Sequence, residues 1–272
     1  MSLEILKKYK ISAKKALGQN FLVNEQIVTE IAESIEVEWK NIIEVGPGYG
    51  ALTEQLLEKH PQSLNLVELD SDMIEILNDR IKNEDFDLSA SEFKINNIDV
   101  LKYEPTHEEY DVIANIPYYI TSPILQHFLY KTEFSPKKMV ILMQDDVGQK
   151  ILGKGKNKSS VLSLFIEKKC TVSEVIKVPK ENFIPAPKVE SAVLLFETHW
   201  KFNETKDDIF LSIIKKWFSE PRKKMIKNLI KGGFQKDIVQ NLFEKMNISE
   251  NTRAEDLNIE QWIEVTEFLS RT

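Results

Sequence analysis

Residues 41–50 constrain what this 272-residue chain can fold into more than any other segment. Asn41-Ile42-Ile43-Glu44-Val45 reads as a short apolar strand, and it runs directly into Gly46-Pro47-Gly48-Tyr49-Gly50. Residues 51–59 carry Leu52, Leu56 and Leu57 at helical spacing, and Pro61 closes that helix. A second apolar run, 64–68, ends in Glu68-Leu69-Asp70. Strand, glycine turn, helix, strand and acid in that order belong to an α/β architecture. The glycines let a backbone come close to a ligand, and the helix N-terminus adds its dipole. An acid about 20 residues past such a turn can hold two vicinal ribose hydroxyls. Glu68 stands at that distance and Asp70 competes with it. The bland alternative is a tight turn with no ligand.

The spacing also discriminates between ligands. Here it is G-x-G-x-G, not the G-x-G-x-x-G of dinucleotide sites. No arginine or lysine lies in the loop, and Glu44 and Glu54 flank it. A pyrophosphate would want more positive charge. A nucleoside without phosphates fits better, which points to S-adenosylmethionine, whose sulfonium tolerates acidic surroundings.

Two further strand ends carry polar side chains. Residues 93–96 read as a third strand, followed by Asn97-Ile98-Asp99-Val100. Asp99 can accept from an adenine amine while Ile98 packs on the ring, or Asp99 can simply cap a turn. The run 110–114 is a fourth strand, and it opens into Asn115-Ile116-Pro117-Tyr118-Tyr119. Pro117 cannot donate to a ladder, so the strand stops before it. An amide oxygen and the Ile116 carbonyl can then accept both N–H bonds of an amino-substituted planar group, with an aromatic ring stacking on its face. An ordinary strand end is the alternative. Tyr119 reads either as a substrate contact or, preferably, as packing beneath the site.

Later segments divide into two kinds. Ser122-Pro123 opens a helix, with Pro123 suited to the first helical position, and 138–143 is a fifth strand. Helices are expected over 145–152 and 158–168, on either side of the Lys154, Lys156 and Lys158 run. Residues 171–178 and 190–197 read as two strands of a hairpin whose stiff loop, with Phe183-Ile184-Pro185-Ala186-Pro187, would hold Phe183 out toward a base. From about 203 the pattern is wholly helical, with one helix beginning at Pro221 and ending at Gly232-Gly233. The expected domains are therefore 1–198, with 1–20 as a basic and flexible arm, and 199–272.

Net charge is -7, which alone argues against a nucleic-acid partner, but the distribution is uneven. Residues 21–110 carry 21 acids against 6 basic residues, whereas 215–231 carry 7 basic residues against Glu220 alone. Residues 137–188 hold 11 lysines against 5 acids. Such asymmetry fits a nucleic-acid partner on a basic face that would include Lys154, Lys156, Lys158, Arg222, Lys223, Lys224 and Lys227, although a lysine run is more often a solvated helix face. Cys170 is the single cysteine, so no internal disulfide forms, and a structural role suits it better than a nucleophile's. The four histidines are scattered, so no metal is expected. No apolar run approaches the roughly 18 residues of a membrane helix, and the lysine-rich start lacks a secretory apolar region, so a cytoplasmic protein is expected.

In order along the chain, Gly18-Gln19-Asn20-Phe21-Leu22, Glu44-Val45-Gly46-Pro47-Gly48, Val67-Glu68-Leu69-Asp70, Asn115-Ile116-Pro117-Tyr118 and Phe183-Ile184-Pro185-Ala186-Pro187-Lys188 are similar to motifs of the KsgA-type ribosomal RNA adenine dimethyltransferases. Arg222-Lys223-Lys224 and Arg253-Ala254-Glu255 resemble that family's C-terminal signatures, and the likeness spans about 12–262. It implies a Rossmann-like seven-stranded class I methyltransferase sheet with a small C-terminal all-helical domain. It implies S-adenosylmethionine contacts from Asn20, Leu22, Gly46, Gly48, Glu68, Ile98, Asp99 and Asn115. Asn115 and Tyr118 would also serve the target adenine, and the residues themselves add the Ile116 carbonyl as a second acceptor and Phe183 as a second stacking face. The implied reaction is N6,N6-dimethylation of two adjacent adenines in a 3′-terminal hairpin of 16S RNA, in small-subunit biogenesis, by a monomer. Glu220-Pro221 and Ser159-Ser160 depart from the family pattern. Three rivals are a non-enzymatic nucleic-acid binder of the same fold, a DNA adenine methylase, whose Pro-Pro-Tyr is absent here, and a nicotinamide-dependent oxidoreductase, which the loop spacing disfavours.

Overall fold

The computed structural model describes residues 2–88, 92–153, 159–220 and 223–271. Its strands are β1 (Phe21–Leu22), β2 (Asn41–Val45), β3 (Ser63–Glu68), β4 (Glu92–Asn97), β5 (Asp111–Asn115), β6 (Lys138–Gln144), β7 (Cys170–Val178), β8 (Phe183–Ile184) and β9 (Ser191–Thr198). Seven of them form one sheet in the order β4-β3-β2-β5-β6-β9-β7. β2 runs parallel to both β3 and β5, and β5 runs parallel to β6. β9 joins antiparallel to β6, with Ile141 opposite Leu194. This is the Rossmann-like class I methyltransferase fold. The inner strands are nearly continuous apolar runs because helices cover both faces. Ile42, Leu64, Leu66, Ile113 and Ile141 are wholly inaccessible.

The helices are α1 (Ser2–Lys8), α2 (Glu25–Glu33), α3 (Ala51–Leu57), α4 (Ser71–Lys82), α5 (Thr121–Tyr130), α6 (Asp145–Ile151), α7 (Val161–Glu167), α8 (Asp207–Trp217), α9 (Met225–Lys231), α10 (Lys236–Lys245) and α11 (Ile259–Ser270). The Asn24 side chain caps α2 through the N–H groups of Gln26 and Ile27. α5 begins at Thr121, after a 3-10 turn over Tyr118–Ile120, so Pro123 is its third residue and not its first. The loss is small because a first-turn N–H has no intrahelical partner anyway.

Two expectations fail here. The basic arm is not a loose tail: α1 buries Leu6 against a small cluster with Phe21, Tyr49 and Met73, and a 3-10 turn covers Lys15–Leu17. The division of the chain also differs. One compact unit holds residues 1–148 and 172–198, and the other holds 149–171 and 199–272. Residues 149–171 leave the first unit because Leu164 of α7 is wholly buried in the helical core around Phe210, Trp217 and Trp262. In that core the Trp217 and Trp262 rings lie 4.8 Å apart at 60°, a favourable edge contact. Ser160 and Ser163 form a capping box on α7, and Ser159 Oγ donates to the Leu257 carbonyl at 3.0 Å. The Ser159-Ser160 departure thus has a local structural use.

Candidate active site

The strand order fixes where a ligand can sit. From β2 the chain steps outward through β3 to β4, then returns to the other side of β2 with β5 and β6. At that switch the carboxyl ends of β2 and β5 open a crevice, the general ligand position of such sheets. Val45 pairs with Ala114, so Gly46 and Asn115 emerge side by side. Both line a cleft in the first unit.

The glycine turn forms one wall. Gly46, Gly48 and Gly50 all have positive φ, at 69°, 57° and 89°. A Cβ on Gly46 would stand 3.1 Å from the Asn115 carbonyl oxygen, so a side chain there would push on the neighbouring strand end. Arg80, invisible as a site residue in the sequence, clamps the turn from below. It is fully buried, donates to the Tyr49 and Gly50 carbonyls at 2.9 and 3.2 Å, and pairs with Glu54 at 2.8 Å. An arginine in the last turn of a helix normally reads as a solvent-facing charge beside the helix dipole, so sequence gives no sign of this.

Two buried acids face the same region. Glu68 Oε1 accepts from the Leu69 and Asp70 N–H groups, both at 2.8 Å, and Oε2 accepts from Gly48 N–H at 3.2 Å. Burial raises its pKa despite those three bonds. A carboxylate has about four acceptor positions, so a ribose would use the free one and share the long Gly48 contact. Glu68 lines the cleft. Its competitor Asp70 is not in the lining but caps α4 and binds Lys14 and Gln19. Burial pushes the Asp70 carboxyl up, but those bonds outweigh it and hold the pKa below the usual value. Glu44, which the sequence presents as a negative charge beside the loop, is 1% exposed and its pKa rises to about 8. Desolvation is the main cause, the Glu68 charge adds to it, and the Thr53 hydroxyl bond at 2.7 Å opposes it. Glu44 is therefore mostly protonated near neutral pH.

The remaining expected donor contacts also reach the cleft. Asn20 and Leu22 line it from the N-terminal segment, and Ile98 and Asp99 from the end of β4. Asp99 Oδ1 accepts from Leu101 N–H at 3.0 Å as the cap of a 3-10 turn, which is the capping alternative.

At the end of β5, neither the Asn115 amide side chain nor the Ile116 carbonyl is hydrogen-bonded among the described residues. Pro117, with φ −57°, starts the 3-10 turn that carries Tyr118 and Tyr119. Tyr118 is half-buried, its hydroxyl 2.6 Å from Ser191 Oγ, and desolvation raises its pKa. Phe183 does not project outward as expected. It is 3% exposed, because its short strand β8 pairs with β1, Leu22 opposite Phe183, and its ring becomes part of the cleft wall. Tyr119 corrects the preferred packing reading: it is 64% exposed at the cleft mouth, its ring beside Gly18.

In the second unit, Lys223, Lys224, Lys227 and Lys231 surround a shallow hollow with Asn228. Glu220 forms ion pairs with both Lys223 and Lys231. The Lys223 and Lys231 bonds lower its pKa to about 2. Lys154, Lys156, Lys158 and Arg222 lie outside the described residues. No group of three metal-ligating side chains occurs among the described residues, and no described helix is long and apolar enough to cross a membrane.

A switch-point cleft with a glycine wall, a backbone-held acid and an unpaired amide beside a proline turn belongs to a class I methyltransferase. Two solved structures share the fold. A dimethyladenosine transferase from Plasmodium falciparum aligns with TM-score 0.80 at 21% identity, over 92% of this chain and 98% of that one. The 23S rRNA methyltransferase ErmE aligns with TM-score 0.72 at 22% identity, over 92% and 100%. Sequence narrows the class: residues 10–271 match the ribosomal RNA adenine dimethylase family, and the chain belongs to it. Among its relatives, Ribosomal RNA small subunit methyltransferase A of Prochlorococcus marinus (strain AS9601) is 34% identical, over 93% of this chain and 94% of its own. The protein of that name from Mycoplasmopsis synoviae (strain 53) is 35% identical, over 95% and 98%.

Proposed function

We propose that the cleft binds S-adenosylmethionine and that the enzyme dimethylates N6 of two adjacent adenines in the 3′-terminal hairpin of 16S RNA, in the cytoplasm, during small-subunit assembly. The observation that carries this reading is the pair of unused acceptors, Asn115 Oδ1 and the Ile116 carbonyl, beside Gly46. The donor's residues fit as a set. Glu68 would take the ribose, Asp99 and Ile98 the adenine, and Asn20, Leu22, Gly46 and Gly48 the walls. The bound donor supplies an electrophilic methyl group on a sulfonium.

Adenine N6 is a poor nucleophile because its lone pair is delocalised into the ring. Asn115 Oδ1 and the Ile116 carbonyl accept its two N–H bonds, drawing the nitrogen toward pyramidal geometry and aiming the lone pair at the methyl group. Tyr118 and Phe183 hold the ring by stacking, worth about 1–3 kcal/mol each. Tyr119, exposed at the mouth, stacks with a neighbouring base. Each transfer forms one N–C bond and breaks one S–C bond. The N6 proton is lost from an acidic ammonium, so no strong base is required. Most of the rate then comes from positioning, up to about 7–11 kcal/mol for well-aligned groups. Lys223, Lys224 and Lys227, with the basic residues at 154, 156, 158 and 222, contribute phosphate contacts.

The test offers methyl-labelled S-adenosylmethionine with undermethylated small subunits, naked 16S RNA or DNA, and maps the labelled base. Label on paired adenines near the 16S 3′ end supports the reading, whereas label on DNA or none at all refutes it. Asn115→Ala should lose at least about 100-fold in turnover, the scale of a lost positioning contact, with its fold retained by circular dichroism. Near-normal turnover in that variant would sink the assignment of Asn115.

A further inference from the structure

Residues 14–22 form a strap along the cleft, and its two ends are fastened by different chemistry. At one end Lys14 Nζ lies 2.6 Å from Asp70 Oδ1 and 2.6 Å from Asp72 Oδ2. Gln19 Nε2 donates to Asp70 Oδ2 at 2.7 Å, and Lys14 N–H donates to Gln19 Oε1 at 2.9 Å. Asp70 is buried and its own N–H holds Glu68 Oε1 at 2.8 Å. This end is thus tied directly to the acid that serves the donor. At the other end Phe21 and Leu22 pair with Ile184 and Phe183, and Val23 N–H donates to the Asn182 carbonyl at 2.9 Å. The Tyr49 hydroxyl adds a bond to the Leu22 carbonyl at 2.9 Å. Between the two ends, Gly18, Gln19 and Asn20 line the cleft.

The ends differ in how they respond to solvent. Strand pairing with buried Leu22 and Phe183 is indifferent to salt. The Lys14 side chain is 40% exposed, so its ion pairs are screened as salt rises. A strap with one screened end and one unscreened end opens at the screened end.

We propose that Lys14 and Gln19 are positioning residues that latch this strap to Asp70, so that the cofactor enters and leaves as the Lys14–Asp70 end opens while the β1–β8 end stays closed. The latch rests on the reading of the cleft as a methyl-donor site. It acts on the donor through Asp70 and Glu68, and the strap is continuous with the strand that seats Phe183.

Binding of S-adenosylhomocysteine, which carries no net charge to respond to salt itself, tests this by calorimetry and stopped-flow dissociation. Lys14→Met should raise Kd about 2- to 5-fold at low salt, the upper part of the range that exposed ion pairs span, chiefly through faster dissociation. The wild-type protein should lose affinity as salt rises from 50 to 500 mM, on the order of that same factor, while Lys14→Met stays flat. Lys14→Arg should restore both the affinity and the salt response, which a general packing defect would not allow. Equal Kd and equal salt response in wild type and Lys14→Met would overturn the latch. Glu68→Gln separates the two failures. If it abolishes binding while Lys14→Met changes nothing, only the latch is wrong. If the wild type does not bind, or Glu68→Gln binds equally well, the donor site and the latch fall together.

Discussion

Glu44→Gln isolates one buried proton. The Glu44 carboxyl is 1% exposed, accepts from the Thr53 hydroxyl at 2.7 Å and has its pKa raised from 4.5 to about 8, by desolvation first and the Glu68 charge second. The unfolded chain gives up this proton near its ordinary pKa, whereas the folded chain keeps it. The carboxyl's stabilising contribution is therefore complete below pH 4.5 and is lost as the pH rises toward 8. Each pH unit inside that window is worth about 1.4 kcal/mol. Between pH 6 and 8 the wild type should lose about 2 kcal/mol, the last half-unit counting for less because the folded group itself begins to ionise. Glutamine has the same shape, keeps an acceptor for Thr53 and has no proton to lose. Other titrating groups are shared, so the difference between the two proteins removes most of their effect. Scanning calorimetry at pH 6, 7, 8 and 9 should show the variant's Tm gaining on the wild type by about 4–8 °C from pH 6 to 8, at the usual scale of about 2–4 °C per kcal/mol. The gap should then flatten. Two Tm curves that stay parallel across this range, or a wild type that gains on the variant, would show that Glu44 is ionised in the fold.

Gly46→Ala places a Cβ at φ 69° and 3.1 Å from the Asn115 carbonyl oxygen. It should cost about 1–2 kcal/mol in stability, read by urea unfolding, and lower turnover by at least about tenfold through displacement of the base-holding strand end. Gly48→Ala, at φ 57° with only the Phe21 ring 3.5 Å away, should cost similar stability but less turnover; equal turnover losses would show that the Asn115 contact is irrelevant. In the second unit, Glu220→Gln releases Lys223 and Lys231 from their shared acid. The slope of log Kd against log salt for a 16S hairpin RNA should steepen by up to about 1.8, some 0.9 for each further phosphate that a freed lysine neutralises. An unchanged slope in filter binding would remove the hollow from the RNA-docking surface.

The core of this site was legible because its signals are local. A strand running into Gly46-Pro47-Gly48, an acid at Glu68 and an Asn115-Ile116-Pro117 strand end each occupy a few consecutive residues, and the sheet brings their ends together. What escaped depends on partners distant in sequence. Lys14 and Gln19 reach Asp70 across 56 and 51 residues, and Leu22 pairs with Phe183 far along the chain. Nothing near position 14 distinguishes that lysine from its neighbours. The same reason hid the burial of Phe183: the stiff loop was visible, but the two-residue strand that it joins was not. Protonation of Glu44 was illegible in another way. Its sequence position states a charge, and only burial beside Glu68 removes it.

On the proposed reading, these features explain why a base-holding and a donor-holding half of the cleft need little machinery to cooperate. Strands β2 and β5 are hydrogen-bonded neighbours, so the Gly46 wall and Asn115 stand one strand spacing apart, about 4.8 Å in such a sheet. Reacting atoms in a near-attack geometry sit about 3–3.5 Å apart. A donor against the glycine turn and a base on the Asn115–Ile116 acceptors would, on the proposed reading, be brought within range by the ladder itself. On that reading the sheet sets the distance, while Arg80 and Glu68 hold the glycine turn by hydrogen bonds and Gly18, Gln19 and Asn20 of the strap line the same cleft. A change at either end of that strap should accordingly be felt by both ligands, whereas a change in the turn alone should be felt first by the donor.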